Sequence, residues 1–147
     1  LGIGYARASD CAQQGNWLNR AVAGADLITV AFGTNDIISG PYGGTGHATP
    51  EEIEADVRKI TRTCTDAGIR TILWNSPPFD MTPELDGIRT AYNETVEGIA
   101  KDNGATYFDV ASLLADPSDA SKTVYGQHPN DEGGTVIADA LVKLIQE

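Results

Sequence analysis

Three short runs of β-branched and aromatic residues, separated by amphipathic helical segments, constrain this chain more than any other feature. They are Leu27-Ile28-Thr29-Val30-Ala31-Phe32, Ile69-Arg70-Thr71-Ile72-Leu73-Trp74 and Ala105-Thr106-Tyr107-Phe108-Asp109-Val110. Each is about six residues long, the usual strand length, and its near-continuous apolar character suits a strand covered on both faces. Thr49-Pro50-Glu51-Glu52 combines an N-cap threonine, a proline at the first helical position and a glutamate placed to close a capping box. Ile53, Val57, Ile60 and Cys64 follow at helical spacing, and Gly68 ends the run. Thr82-Pro83-Glu84 opens a second helix in the same way, with Ile88, Tyr92, Val96 and Ile99 as its buried stripe and Gly104 past its end. A last helix carries Val136, Ile137, Leu141, Leu144 and Ile145. A further one spans roughly residues 11–22, with Trp17, Leu18, Ala21 and Val22 on its apolar side. Strands alternating with helices make a parallel sheet with helices on both faces, a three-layer α/β/α domain.

Length and composition narrow the function. The 147 residues fit one core, and 41% hydrophobic residues are enough to build it. The formal charge of −11 excludes a phosphate-neutralising nucleic-acid binder and disfavours an anionic membrane surface. No apolar run approaches the roughly 18 residues of a membrane span. Two cysteines, Cys11 and Cys64, are too few for a zinc cluster; they form either one disulfide or two buried thiols. Low lysine content and that possible pair lean towards a secreted protein. The glycine-rich stretch 39–47 lacks a lysine and reads as a loop over a site rather than a phosphate cradle. The expectation is no metal and no cofactor.

Ligands of open parallel sheets bind at the carboxyl ends of the strands. Gly33-Thr34-Asn35-Asp36 follows the first run, Asn75-Ser76-Pro77-Pro78 the second, and His128-Pro129-Asn130-Asp131 precedes the last helix. Asn35 and His128 are therefore expected on one rim. Histidine is the only side chain whose unperturbed pKa allows proton exchange near neutrality, and the alternative, His47, sits in the glycine-rich loop with no strand to position it. An amide does not titrate, so Asn35 can face developing negative charge at any working pH. The plainer readings are a turn cap for Asn35, a surface position for His128, a backbone-bonding role for Asp36 and an N-cap role for Asn130 or Asp131. Trp17 reads as core; Trp74 and Tyr42 stand near the rim.

Gly33-Thr34-Asn35-Asp36 after an apolar strand resembles the third conserved block of the SGNH (GDSL-type) hydrolases. His128-Pro129-Asn130-Asp131-Glu132-Gly133 resembles their fifth block, and Leu1-Gly2-Ile3-Gly4-Tyr5-Ala6 their second. The resemblance covers essentially the whole chain and implies a flavodoxin-like parallel sheet and ester hydrolysis by a serine. It makes His128 the general base, Asn35 an oxyanion donor, and a backbone N–H at Gly4 or Tyr5 a second donor, with Gly33 and Asp131 as secondary site residues. Many family members carry glycine where Tyr5 stands, which implies a backbone with positive φ there.

Two departures shape the expectation. The chain has no Gly-Asp-Ser, and the acid that the family has three residues before the histidine is replaced by Tyr125. Asp119 or Asp131 would substitute, or a backbone carbonyl would orient the ring. The family's first strand, between its second and third, is missing from these residues. Residues 1–147 are thus expected to be a single, N-terminally incomplete SGNH-like domain, its nucleophile supplied by a missing segment or a second chain. The implied substrate is a small ester, such as an O-acetyl group on a carbohydrate. A catalytically inert binding or structural module of the same fold is the alternative, and an unrelated nucleotide- or flavin-binding flavodoxin-like domain a third reading.

Overall fold

The two Thr-Pro-Glu signals mark where the two longest helices begin. The computed structural model describes residues 4–13, 15–40, 45–114, 124–125 and 128–147. In chain order the elements are α1 (Ala8–Gln13), α2 (Gly15–Val22), β1 (Leu27–Val30), α3 (Thr34–Ile38), α4 (Pro50–Asp66), β2 (Arg70–Trp74), α5 (Pro83–Asp102), β3 (Thr106–Phe108), α6 (Val110–Leu114), β4 (Val124–Tyr125), β5 (His128–Pro129) and α7 (Asp131–Gln146). At the start of α4, Thr49 Oγ1 accepts from the Glu52 backbone N–H at 3.3 Å while Glu52 Oε2 accepts from the Thr49 N–H at 2.9 Å. That reciprocal pair satisfies two donors the helix itself cannot use. Thr82 caps α5 from its side chain. Asn130, of the two candidates, caps α7, accepting from the Gly133 N–H at 2.9 Å.

β1, β2 and β3 form a parallel sheet in that order, with Ile28 opposite Thr71 and Leu73 opposite Tyr107. Successive side chains of a strand point to opposite faces. Leu73 accordingly joins the larger core with Val30, Ile60, Tyr92, Val96 and Ile99, under α1, α2, α4 and α5. Its neighbour Ile72 joins the smaller core with Phe108, Val110, Leu114 and Ile137, under α6 and α7. The arrangement is the expected α/β one, helices flanking a parallel sheet. The Arg70 guanidinium ties the sheet to α7 by donating to the carbonyls of Leu144 and Ile145 at 2.7 and 2.6 Å. Among the described residues, no helix is long and apolar enough to cross a membrane.

Several local expectations are corrected. The first helix is two, α1 and α2. The strands are shorter than the apolar runs. β1 stops at Val30 because the chain turns at Gly33, and Val110 opens α6 because Asp109 caps that helix, its Oδ1 accepting from the Ser112 N–H at 3.1 Å. β1 is not covered on both faces: Thr29, and Ala31 just past the strand's end, are exposed, and among the described residues β1 is paired only with β2. Of the two readings of the cysteines, the thiol one holds: Cys11 and Cys64 are free, Cys64 buried and Cys11 half-buried. Burial pushes the Cys64 thiol up to about 11, with Cys11 adding to the shift, and burial raises Cys11 as well.

Two outcomes are expected. Ile72→Ala, at a fully buried position of the central strand, destabilises the fold by about 2–5 kcal/mol, read from urea unfolding. In native protein at pH 8, a disulfide reagent modifies Cys64 far more slowly than after unfolding, because a thiol with a pKa of about 11 is thiolate only about one part in a thousand there.

Candidate active site

The site grows from the turn after β1. Gly33 has φ 113°, and a Cβ there would stand 2.7 Å from Cε1 of Tyr92, so both backbone conformation and space demand glycine. The turn leads into α3, which carries Asn35 and Asp36. Asn35 Nδ2 donates to the Ala6 carbonyl at 2.9 Å. A carboxamide nitrogen has two hydrogens, so one orients the side chain and the second remains available. Asp36, only 2% exposed, accepts from the Ala8 N–H at 2.9 and 3.1 Å and from the Gly33 N–H at 3.2 Å. Arg7 Nε stands 3.8 Å from its Oδ1, and Arg7 Nη2 donates to the Asp36 carbonyl at 3.4 Å. The segment leading out of Gly4 and Tyr5 is thus held against α3. Both of those residues are exposed, and Tyr5 has φ 60°, the positive value that the family's glycine implies.

The loops after β2 and β3 complete the rim. Asn93 of α5 grips the Ser76 backbone, accepting from its N–H and donating to its carbonyl, both at 2.8 Å. The hydroxyls of Thr34 and Ser76 share a hydrogen bond at 3.2 Å, joining the two loops. The buried Asn75 side chain donates to Tyr107 Oη at 2.9 Å and Asp109 Oδ1 at 2.7 Å and accepts from the Ala111 N–H at 2.9 Å. Trp74 packs edge-on against Phe108 with ring centroids 5.1 Å apart.

Two hollows meet at Ala6, Ala31, Phe32 and Asn35. The larger, about 380 Å³, runs along the edge of β1 that has no strand partner among the described residues, walled opposite by Cys11, Trp17, Leu18 and Ala21. The smaller, about 200 Å³, lies at the carboxyl ends of the strands among Gly33, Asn35, Trp74, Val110, Pro129 and Ile137. Pro129 follows His128 in β5, so the neighbour of His128 shares a hollow with Asn35, while His128 itself is exposed. His128 is the backbone partner of Tyr125 across the β4–β5 bridge. Asp131 is exposed at the first position of α7, and His47 is exposed ahead of α4. Asp119 and Tyr42 lie outside the described residues.

The GDSL-like lipase/acylhydrolase family model matches residues 1–136. The chain belongs to that family. The unrelated nucleotide-binding reading is thereby replaced. Solved GDSL-type structures share the fold of this GDSL-like chain. It is similar to a GDSL-like lipase from Bacteroides thetaiotaomicron at 18% identity, covering 99% of this chain and 74% of that one with a TM-score of 0.74. It is similar to an acetyl xylan esterase at 18% identity, covering 99% and 79% with a TM-score of 0.77. A carbohydrate esterase of family 3 from Talaromyces cellulolyticus matches at 21% identity, covering 99% and 69% with a TM-score of 0.72. Over a shorter stretch of 72 residues it is 35% identical to an acireductone dioxygenase of Hahella chejuensis; the match spans 49% of this chain and 39% of that relative's length.

Within the GDSL-like fold, the ionisable groups at the strand ends carry opposite shifts. Burial raises Asp36, against the hydrogen bonds from Ala8 and Gly33 and the Arg7 charge, which pull it down. At Asp109 burial also raises, but the bonds from Ser112 and Asn75 outweigh it and hold the carboxyl below the usual range. Burial raises the Tyr92 phenol far above its ordinary value; its Oη is buried without a hydrogen-bond partner. Sequence reasoning singled out Asn35 and Gly33 but not Arg7, Asn75 or Asn93. An arginine between two alanines, in Ala6-Arg7-Ala8, was the available signal for the first. Asn75 and Asn93 bond groups distant in sequence, side chains and backbone alike, which leaves no local signature.

Two measurements follow from this geometry. Tyr5→Gly stabilises the protein by about 1 kcal/mol in thermal unfolding, because a left-handed conformation costs a non-glycine residue on that order; Tyr5→Val lowers the melting temperature instead. For Asp36 the folded pKa lies above the unfolded one, so the folded state binds the proton more tightly. Denaturant titrations from about pH 3 to 7 are expected to show wild-type stability falling relative to Asp36→Asn as pH rises from the ordinary carboxylate value through the raised one.

Proposed function

We propose that this chain forms the body of a serine-type hydrolase of small esters, removing a short acyl group such as acetate from a carbohydrate or similar alcohol. The observation that carries the reading is Asn35: its amide is held by the Ala6 carbonyl, which takes one of its two hydrogens, and it lines a hollow that Pro129, next to His128, also lines. In the mechanism, a serine Oγ attacks the ester carbonyl while His128 takes the hydroxyl proton. The oxyanion accepts hydrogen bonds from Asn35 Nδ2 and from a backbone N–H at Gly4 or Tyr5. Collapse breaks the carbon–oxygen bond of the alcohol, which leaves with the proton from His128. Water then repeats the sequence on the acyl-serine, releasing the acid and restoring the serine.

The nucleophile in this reading arrives on an extended segment outside the 147 residues, laid along the open edge of β1. Three features support it. Gly-Asp-Ser is absent from the sequence. The hollow of about 380 Å³ follows that edge and ends at Asn35. A strand parallel to β1 in that position would release its carboxyl end beside the same residue. The small volume beside Asn35, about 200 Å³, favours a short acyl group, and likeness to esterases acting on acetylated sugars favours a carbohydrate alcohol. Tyr125 in place of the usual acid favours the inert-module alternative.

With the full-length polypeptide and p-nitrophenyl acetate, His128→Ala is expected to abolish turnover, and Asn35→Ala to lower kcat by about 10²- to 10³-fold, the loss typical of one oxyanion donor. Activity that survives His128→Ala removes the mechanism. A folded, full-length wild type without activity establishes the inert module.

A further inference from the structure

We propose that Asp36 is a positioning residue whose buried carboxylate sets the spacing between the two oxyanion donors, the Asn35 amide and the backbone N–H groups at Gly4 and Tyr5; the inference rests on the esterase reading.

A carboxylate at the third position of a short helix has an ordinary local task, accepting from the N-cap N–H. The bond from the Gly33 N–H at 3.2 Å is that task. It explains neither the burial of Asp36 nor its other partners. Both of its oxygens also accept from the Ala8 N–H, at 2.9 and 3.1 Å, across 28 positions of sequence. Arg7 closes on the same group from the side, through Nε at 3.8 Å from Oδ1 and through Nη2 to the Asp36 carbonyl. Next along the chain, the Ala6 carbonyl takes the Asn35 amide hydrogen at 2.9 Å. Three successive residues, Ala6, Arg7 and Ala8, are therefore joined to two successive residues of α3, and the joint is centred on Asp36.

The chemistry of the group explains why a carboxylate is required. It accepts only, with lone pairs enough for the Gly33 and Ala8 N–H groups, and its charge faces the Arg7 guanidinium at 3.8 Å. An amide of the same size turns one of those acceptors into a donor aimed at an N–H. Gly4 and Tyr5 lie four and three residues before Ala8, so movement at Ala8 moves the second donor. Movement at Ala6 releases the orientation of Asn35. One side chain thus controls both donors without touching the substrate.

The test uses the full-length enzyme and p-nitrophenyl acetate, well below the melting temperature. Asp36→Asn is expected to lower kcat between about 10- and 100-fold, since a displacement of ~1 Å costs on the order of 100-fold, with KM changed less than about twofold, the pattern of an interaction made in the transition state. Ile99→Ala, buried towards the far end of α5, supplies a similarly destabilised control with kcat preserved. Should Asp36→Asn fail to fold, Arg7→Lys keeps the charge but loses the Nη2 bond to the Asp36 carbonyl, and a smaller fall in kcat at constant KM is expected. Unchanged kcat in the folded variant, or an equal fall in Ile99→Ala, overturns the positioning role while the esterase reading stands. An inert wild type overturns the esterase reading and the positioning role with it.

Discussion

The carboxylate of Asp36 is the joint on which the arrangement of this site depends. It is buried against the cost of burying charge, and it remains there because two backbone N–H groups and the Arg7 guanidinium converge on it. Without that convergence, the segment before α1 would have little reason to lie against α3. Asn35 would then lack the carbonyl that aims it. The neighbouring Gly33 serves the same end by steric means, since the Tyr92 ring fills the space a side chain would need. Polar geometry and close packing thus meet within four residues.

The sheet supplies the platform. Its three described strands end together, so the loops after β1, β2 and β3 fall on one rim. Those loops are then fastened to each other by side-chain hydrogen bonds: Thr34 to Ser76, Asn93 to the Ser76 backbone, Asn75 to Tyr107 and Asp109. A site on loops held in this way keeps its shape even though loops make few ladder bonds of their own. The edge of β1 away from β2 is the exception: among the described residues it has no strand partner, and a hollow of about 380 Å³ adjoins it.

Much of the architecture was legible because its causes are local. The threonine–proline–glutamate starts of α4 and α5, the Asn130 cap of α7 and the apolar stripes beneath them all act within four residues. The strand positions followed from β-branched runs, although their ends did not, since Gly33 and Asp109 redirect the chain before the apolar residues run out. The division of the first helix and the short helices α3 and α6 were missed for a related reason: elements of five or six residues carry too little periodicity to stand out.

The sequence by itself determined which residue types were available for chemistry and roughly where they sit relative to the strands. Asn35 follows β1 and His128 precedes α7, while the positive φ at Tyr5 was implied by the family resemblance. Tertiary structure alone decided the partnerships. Asp36 to Ala8, Arg70 to the end of α7 and Asn75 to Asp109 span 28, 74 and 34 positions. Such contacts form only once the layers have packed, and no periodicity, cap or turn signal within the chain records them.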